Sequence, residues 1–167
     1  MSAEKGLEST GPEKRATTDP ETSSQKDSPQ FSIITPVYNP RYRYFLRCAK
    51  SVRKQSFRDW EWCIVDDGST KKLIWPIIRI LASFNRRISA RRRGTNGGIS
   101  VASNDALRLA TGRFIVPLDH DDRLKKKALQ LVSEAVERSP EAQLLYSDEE
   151  VINGRGRLLR YLRKPEW

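Results

Sequence analysis

Arg113-Phe114-Ile115-Val116-Pro117-Leu118-Asp119-His120-Asp121-Asp122 is an apolar, strand-like run that opens directly into three carboxylates. A short apolar run of this kind reads as a buried strand of a parallel sheet, which puts the acids at one edge of that sheet. Three carboxylates so close together repel one another unless a positive charge sits among them. A hard divalent cation shared with a diphosphate would supply that charge. The rival reading is a solvated helix N-terminus, where acidic side chains favour the helix dipole.

Outward from this stretch, short apolar runs alternate with helical periodicity from Phe31 onward, which argues for βα units and a mainly parallel sheet. Phe31 to Thr35 is a first strand, ended by Pro36. Phe45, Cys48, Val52 and Gln55 then recur at three- and four-residue spacing along one helix face. Trp60 to Val65 is a second strand, followed by a helix through Ile77, Ile78 and Leu81 with Pro76 in its first turn. Arg87 to Arg93 is expected as an edge strand because its arginines suit no buried one. Asn96-Gly97-Gly98 opens a third helix bearing Ile99, Ala102, Ala106 and Leu109, with Gly112 as its stop. After the strand Phe114 to Leu118, the residues Leu124, Ala128, Leu131, Val132, Ala135 and Val136 form an amphipathic helix that Ser139-Pro140 terminates. Gln143 to Ser147 is expected as a last strand.

Residues 1–30 differ from the rest: no aromatic residue, three prolines and almost no branched aliphatics. Such a segment cannot offset its ordering entropy by burial, so it is expected to be a disordered tail preceding one domain over 31–167. The whole chain has 31 Lys/Arg against 21 Asp/Glu; four of the former and six of the latter fall in the tail, leaving the domain at +12. A field of that sign attracts phosphates of any origin. No aromatic-rich basic strand or recognition-helix pattern accompanies it, so a specific nucleic acid is not expected. Cys48 and Cys63 fall on buried faces and read as free core thiols suited to a reducing cytoplasm. No apolar stretch is long enough to span a membrane. Arg91-Arg92-Arg93, Lys125-Lys126-Lys127 and the basic segment from Arg155 to Lys164 are solvated faces or a peripheral contact with an anionic membrane's inner face.

In an open parallel sheet, ligands bind beyond the carboxyl ends of the strands. Tyr38 and Asn39 follow strand one, Asp66 and Asp67 follow strand two, and the Asp119 cluster follows the strand Phe114 to Leu118. Each also has an ordinary reading: Asp67-Gly68 as a turn, Tyr38 as a half-buried aromatic, Asn96-Gly97-Gly98 as a helix entrance.

Five segments in order, Phe31-Ser32-Ile33-Ile34-Thr35-Pro36-Val37-Tyr38-Asn39, Ser51-Val52 with Gln55-Ser56-Phe57, Asp66-Asp67-Gly68-Ser69-Thr70, Asn96-Gly97-Gly98-Ile99-Ser100 and Leu118-Asp119-His120-Asp121-Asp122, resemble the nucleotide-binding half of family 2 glycosyltransferases. The likeness is closest to bacterial enzymes of surface-polysaccharide and O-antigen synthesis. It implies a three-layer α/β domain of the glycosyltransferase A type. It also implies inverting transfer from a nucleoside-diphosphate sugar, UDP-linked, to a glycan or lipid-linked acceptor. Pro36, Tyr38, Asn39, Asp66, Asp67, Asn96, Gly97, Gly98 and Asp119 are the implied nucleotide-sugar-binding positions. Tyr38 would stack on uracil, Asp67 would take the base edge, and Asp119 and Asp121 would hold Mg2+ or Mn2+. His120 sits at the variable position and receives no ligand role. In the family the catalytic base and the acceptor-binding elements follow the segment resembling Tyr146 to Trp167. The chain is therefore expected to be a donor-binding half truncated before its base, with no such role carried onto Asp148, Glu149 or Glu150.

Overall fold

The computed structural model describes residues 28–165, so most of the expected N-terminal tail lies outside the described residues. Ten elements follow in chain order. They are β1 (Phe31–Val37), α1 (Tyr42–Arg53), β2 (Trp60–Asp66), α2 (Ile74–Ser83), β3 (Ile88–Arg92), α3 (Ile99–Leu107), β4 (Phe114–Pro117), α4 (Ala128–Arg138), β5 (Glu149–Ile152) and β6 (Leu158–Leu162).

The first four strands form one parallel sheet in the order β3-β2-β1-β4, with Phe31 opposite Trp60 and Phe114, and Trp62 opposite Ile88. Side chains alternate across a strand. Phe31, Ile33 and Val37 therefore join Trp60, Trp62 and Ile64 beneath Phe45, Cys48 and Val52 of α1, Ile74 and Ile78 of α2 and Leu129 of α4. Ile34, Cys63 and Val65 face the other way onto Ala102 and Ala106 of α3. The result is the expected three-layer α/β domain. Cys48 and Cys63 lie on opposite faces of the sheet, and both are free.

β3 is the edge strand its arginines suggested. Other expectations need correction. Pro36 lies inside β1 instead of ending it. Its missing N–H faces the β4 side, where pairing stops at Ile34 and Pro117, so no ladder bond is lost. Pro117 likewise turns its nitrogen to the open edge of β4, since the Phe114 and Leu118 amides are the ones that donate toward β1, to the carbonyls of Gln30 just before it and of Ile34 within it.

Gly112 is not the end of α3, which stops at Leu107. It is instead a point of close approach: a Cβ there would lie 2.7 Å from Ser32 Oγ and 2.9 Å from the Pro29 carbonyl oxygen. Its N–H donates to Ser32 Oγ at 2.8 Å, and Ser32 donates to Glu61 at 2.6 Å, tying the entry of β4 to β1 and β2.

Gln55 lies beyond α1, but its buried amide works as a clamp. It donates to the Lys125 carbonyl at 2.8 Å and accepts from the Leu129 amide at 3.1 Å, which fixes α4. Within α4 the buried residues are Leu129, Ser133 and Val136, while Leu131 is exposed. The apolar stripe is therefore rotated from the expected one. Gln143 to Ser147 is not a strand. The chain there is irregular, and the last strands, β5 and β6, pair antiparallel as a separate hairpin.

Candidate functional site

Because β1, β2, β3 and β4 run parallel, the loops that follow them all emerge at one edge of the sheet. After β1, Tyr38 presents an exposed ring, and Asn39 takes a positive φ of 47°. Asn39 does not face outward. Its side-chain oxygen accepts the amides of Thr70 and Lys71 at 2.9 and 3.0 Å, which binds the first loop to the second.

At the end of β2, Asp66 is fully buried. One of its oxygens accepts the Ser69 amide at 3.0 Å, and the other lies 3.2 Å from Arg92 Nε. Asp66 and Arg92 are register partners in β2 and β3, so their side chains leave the same face. Asp67 is also buried. Its carboxylate accepts the Gly98 amide at 2.8 Å and the Gly97 amide at 3.0 Å, with Arg93 Nε 2.8 Å away. Asn96 accepts the Gly98 amide at 2.8 Å in a short local turn. Gly98 has φ +87°, and Gly68 has φ +71°, where a Cβ would lie 2.9 Å from the Thr95 carbonyl carbon and 3.0 Å from the Asn96 nitrogen. The loops after β2 and β3 are thus in van der Waals contact, and only glycine fits where they cross.

After β4, Asp119, Asp121 and Asp122 are exposed. The Asp119 carbonyl accepts the Asp122 amide at 3.1 Å. His120 sets its Nδ1 3.3 Å from the Pro36 carbonyl, which orients the ring against β1. Partial burial and the neighbouring Asp121, Asp119 and Glu149 push the Asp122 carboxyl above the usual range, with His120 opposing. The carboxylates are therefore crowded and under-compensated. Among the described residues no group of three or more His, Cys, Asp or Glu side chains is gathered as a metal cage. An all-oxygen donor set with excess negative charge does fit a hard cation that takes its other oxygens from phosphate and water.

The structure thus brings Tyr38, Asn39, Asp67, Asn96, Gly97, Gly98, Asp119 and Asp121 to the loops of one sheet edge, with Pro36 near the end of β1 before them and Asp66 buried at the end of β2. Arg92 and Arg93, assigned above to a solvated or membrane-facing run, instead turn onto Asp66 and Asp67. Arg93 also donates to buried Asp105 of α3, which Arg108 Nη1 reaches at 2.6 Å. The signal for these pairs was Asp66-Asp67 and Arg92-Arg93 standing at the exits of two strands.

Residues 32–163 match the sequence pattern of glycosyl transferase family 2. The chain belongs to this family. Family relatives include an O-antigen biosynthesis protein of Myxococcus xanthus, 33% identical over 83% of this chain and 11% of that protein. The chondroitin synthase of Escherichia coli is 34% identical over 83% of this chain and 20% of that protein. Among solved structures, TarS of S. aureus in complex with UDP superposes with a TM-score of 0.60 at 29% identity, covering 65% of this chain and 32% of that one. The fold is accordingly the glycosyltransferase A type. The chain spans only a tenth to a fifth of the length of the two relatives.

Proposed function

We propose that this family 2 domain binds a UDP-linked sugar at the carboxyl edge of its sheet. In that reading it presents the sugar for transfer to a glycan or lipid-linked acceptor in surface-polysaccharide synthesis. The observation that carries this reading is the arrival of Tyr38, Asp67 and Asp119 with Asp121 on three separate loops of one parallel-sheet edge. The UDP complex of TarS supports the choice of base.

In this reading the exposed Tyr38 ring stacks on uracil, and Asp67, buried and held by the Gly97 and Gly98 amides, offers the base imide the lone pair those amides leave. The Asn96–Gly98 loop forms the wall beside it, and Pro36 and Asn39 fix the loop that carries Tyr38. Asp66 supports that edge from beneath. Asp119 and Asp121 would hold Mg2+ or Mn2+, which neutralises charge on the leaving diphosphate. Deprotonating the acceptor hydroxyl requires a base within hydrogen-bond reach, and none of the matched positions supplies one. Donor binding is therefore the part of the reaction assigned to these residues, and a donor-binding module without full catalysis is the second reading. A nucleotide-sugar donor and a lipid-linked acceptor would meet at the cytoplasmic face of a membrane.

Calorimetry on the purified chain tests this. UDP should bind in Mn2+, lose that binding in EDTA, and keep it near physiological salt, where non-specific phosphate attraction weakens. Absence of UDP binding with Mn2+ present would overturn the reading.

A further inference from the structure

Arg93 stands between two buried carboxylates and is aligned on only one of them. Its Nη1 donates to Asp105 Oδ2. Its Nε lies 2.8 Å from Asp67 Oδ1, yet that buried N–H has no hydrogen-bond partner among the described residues. Asp67 therefore receives the positive charge without the directed bond. Its oxygens are left to the Gly97 and Gly98 amides, at 3.0 and 2.8 Å.

What decides the orientation of the guanidinium is Asp105. It is buried on α3, and Arg108 Nη1 holds its second oxygen at 2.6 Å. The hydrogen bond from Arg93 holds the Asp105 carboxyl below the usual range, so it stays ionised. An arginine prefers a forked, two-bond contact with a carboxylate over a single close approach. With Asp105 neutral, that preference turns Arg93 fully onto Asp67, and the fork then takes the oxygen positions that the two glycine amides now occupy. The guanidinium already lies against the loop, since a Cβ at Gly97 would meet Arg93 Nη2 at 2.8 Å.

We infer that Asp105 is a positioning residue for the nucleotide site: by engaging Arg93 from behind, it reserves Asp67 for the Gly97 and Gly98 amides and so fixes the loop between β3 and α3. The consequence for UDP rests on the reading of Asp67 given above, whereas the consequence for the loop does not.

Two measurements separate these. In Asp105→Asn, amide exchange at Gly97 and Gly98 should accelerate about tenfold or more, and the Kd for UDP in Mn2+ should rise about tenfold, the effect of roughly one lost charge-assisted bond. In the double variant Arg93→Gln with Asp105→Asn no guanidinium competes for Asp67, so most of both losses should be recovered. Recovered stability alone would also follow from removing an unpaired buried charge, so the variants are compared by exchange at Gly97 and Gly98, which a purely structural pair between Arg93 and Asp105 would not move. Unchanged Gly97 and Gly98 exchange in Asp105→Asn, or a double variant as impaired as the single, overturns the inference. Should Asp105→Asn fail to fold, the double variant decides alone: protection at both glycines supports the inference, and its loss sinks it. If the wild-type chain binds no UDP, the nucleotide reading falls while the exchange data still judge Asp105.

Discussion

Asn39 and Lys71 bond to each other twice: the Lys71 amide donates to Asn39 Oδ1 at 3.0 Å, and the Lys71 ammonium donates to the Asn39 carbonyl at 2.8 Å. Together with the Thr70 amide on the same oxygen, this makes Asn39 the bolt between the loops after β1 and β2. Asn39→Ala removes the acceptor and leaves a Cβ residue with no side-chain partner at φ 47°. The variant should lose about 2–3 kcal/mol, as two net hydrogen bonds plus left-handed strain would. Asn39→Asp keeps the oxygen beside an ammonium and should lose less than about 1 kcal/mol. Urea unfolding measures both, and equal losses would mean that the side-chain oxygen contributes nothing.

The same bolt shows what a sequence can and cannot disclose. Apolar runs marked β1, β2 and β4 because buried strands need them, and the acids after β2 and β4 stood out because they follow such runs so closely. The partners of those acids were hidden, since pairing Asp66 with Arg92 requires knowing that β3 lies beside β2 in one register. Without it, three arginines in a row look solvated. Asn39 itself was read as facing a ligand, and its bonds to residues more than thirty positions on are invisible to local pattern. Gln143 to Ser147 misled for the opposite reason: its apolar residues suggested a strand, but the segment pairs with neither open edge of the sheet, β3 or β4, and Leu144 is left exposed. The hairpin that forms instead is anchored by Arg47 on the Gly154 carbonyl at 2.6 Å and by Lys125 on Glu150 at 2.5 Å.

Cys48 and Cys63 should be chemically silent in the native chain. Burial, reinforced for Cys48 by Asp122, Asp121 and Asp119 and for Cys63 by Glu61, pushes both thiols up to about 12. The reactive species is the thiolate, so a disulfide reagent at mildly alkaline pH should label neither until denaturant is added, and then both. A thiol whose folded value is raised stabilises the fold fully below the unfolded value of about 8.5, and this contribution fades as pH rises from there toward the folded value. Stability should therefore decline across that alkaline window and decline less in a Cys63→Ala variant. Rapid labelling of one native thiol would contradict its burial.

Two glycines should fail for different reasons when replaced by alanine. At Gly98 a Cβ meets nothing within 4 Å, but φ is +87°, so Gly98→Ala suffers backbone strain alone, about 1–2 kcal/mol. At Gly112 the Cβ would lie 2.9 Å from backbone atoms of both Phe31 and Pro29 and 2.7 Å from the Ser32 hydroxyl that links β4 to Glu61. Overpacking of that kind costs about 2–3 kcal/mol, and the sheet must shift to relieve it. Thermal unfolding should rank Gly112→Ala below Gly98→Ala, and the reverse order would show that β4 moves aside without penalty.

The exposed acids after β4 should divide by position. Asp119 and Asp121 are assigned to the cation and Asp122 is not, although all three share one stretch of negative potential. Asp119→Asn and Asp121→Asn should each weaken Mn2+-dependent UDP binding at least tenfold, about 1.4 kcal/mol. Asp122→Asn removes only a more distant charge and should weaken it far less. Asp122 also reports on its neighbours: since Asp121 and Asp119 help push its carboxyl up, replacing either should bring its titration back toward the ordinary carboxylate range, an effect visible by NMR without any nucleotide. Bound Mn2+ should act in the same direction by supplying positive charge, and diamagnetic Mg2+ allows that titration to be followed. Equal losses in all three variants would mean that the cluster acts as a diffuse field and not as a pair of ligands. UDP affinity indifferent to EDTA would remove the cation from the site altogether.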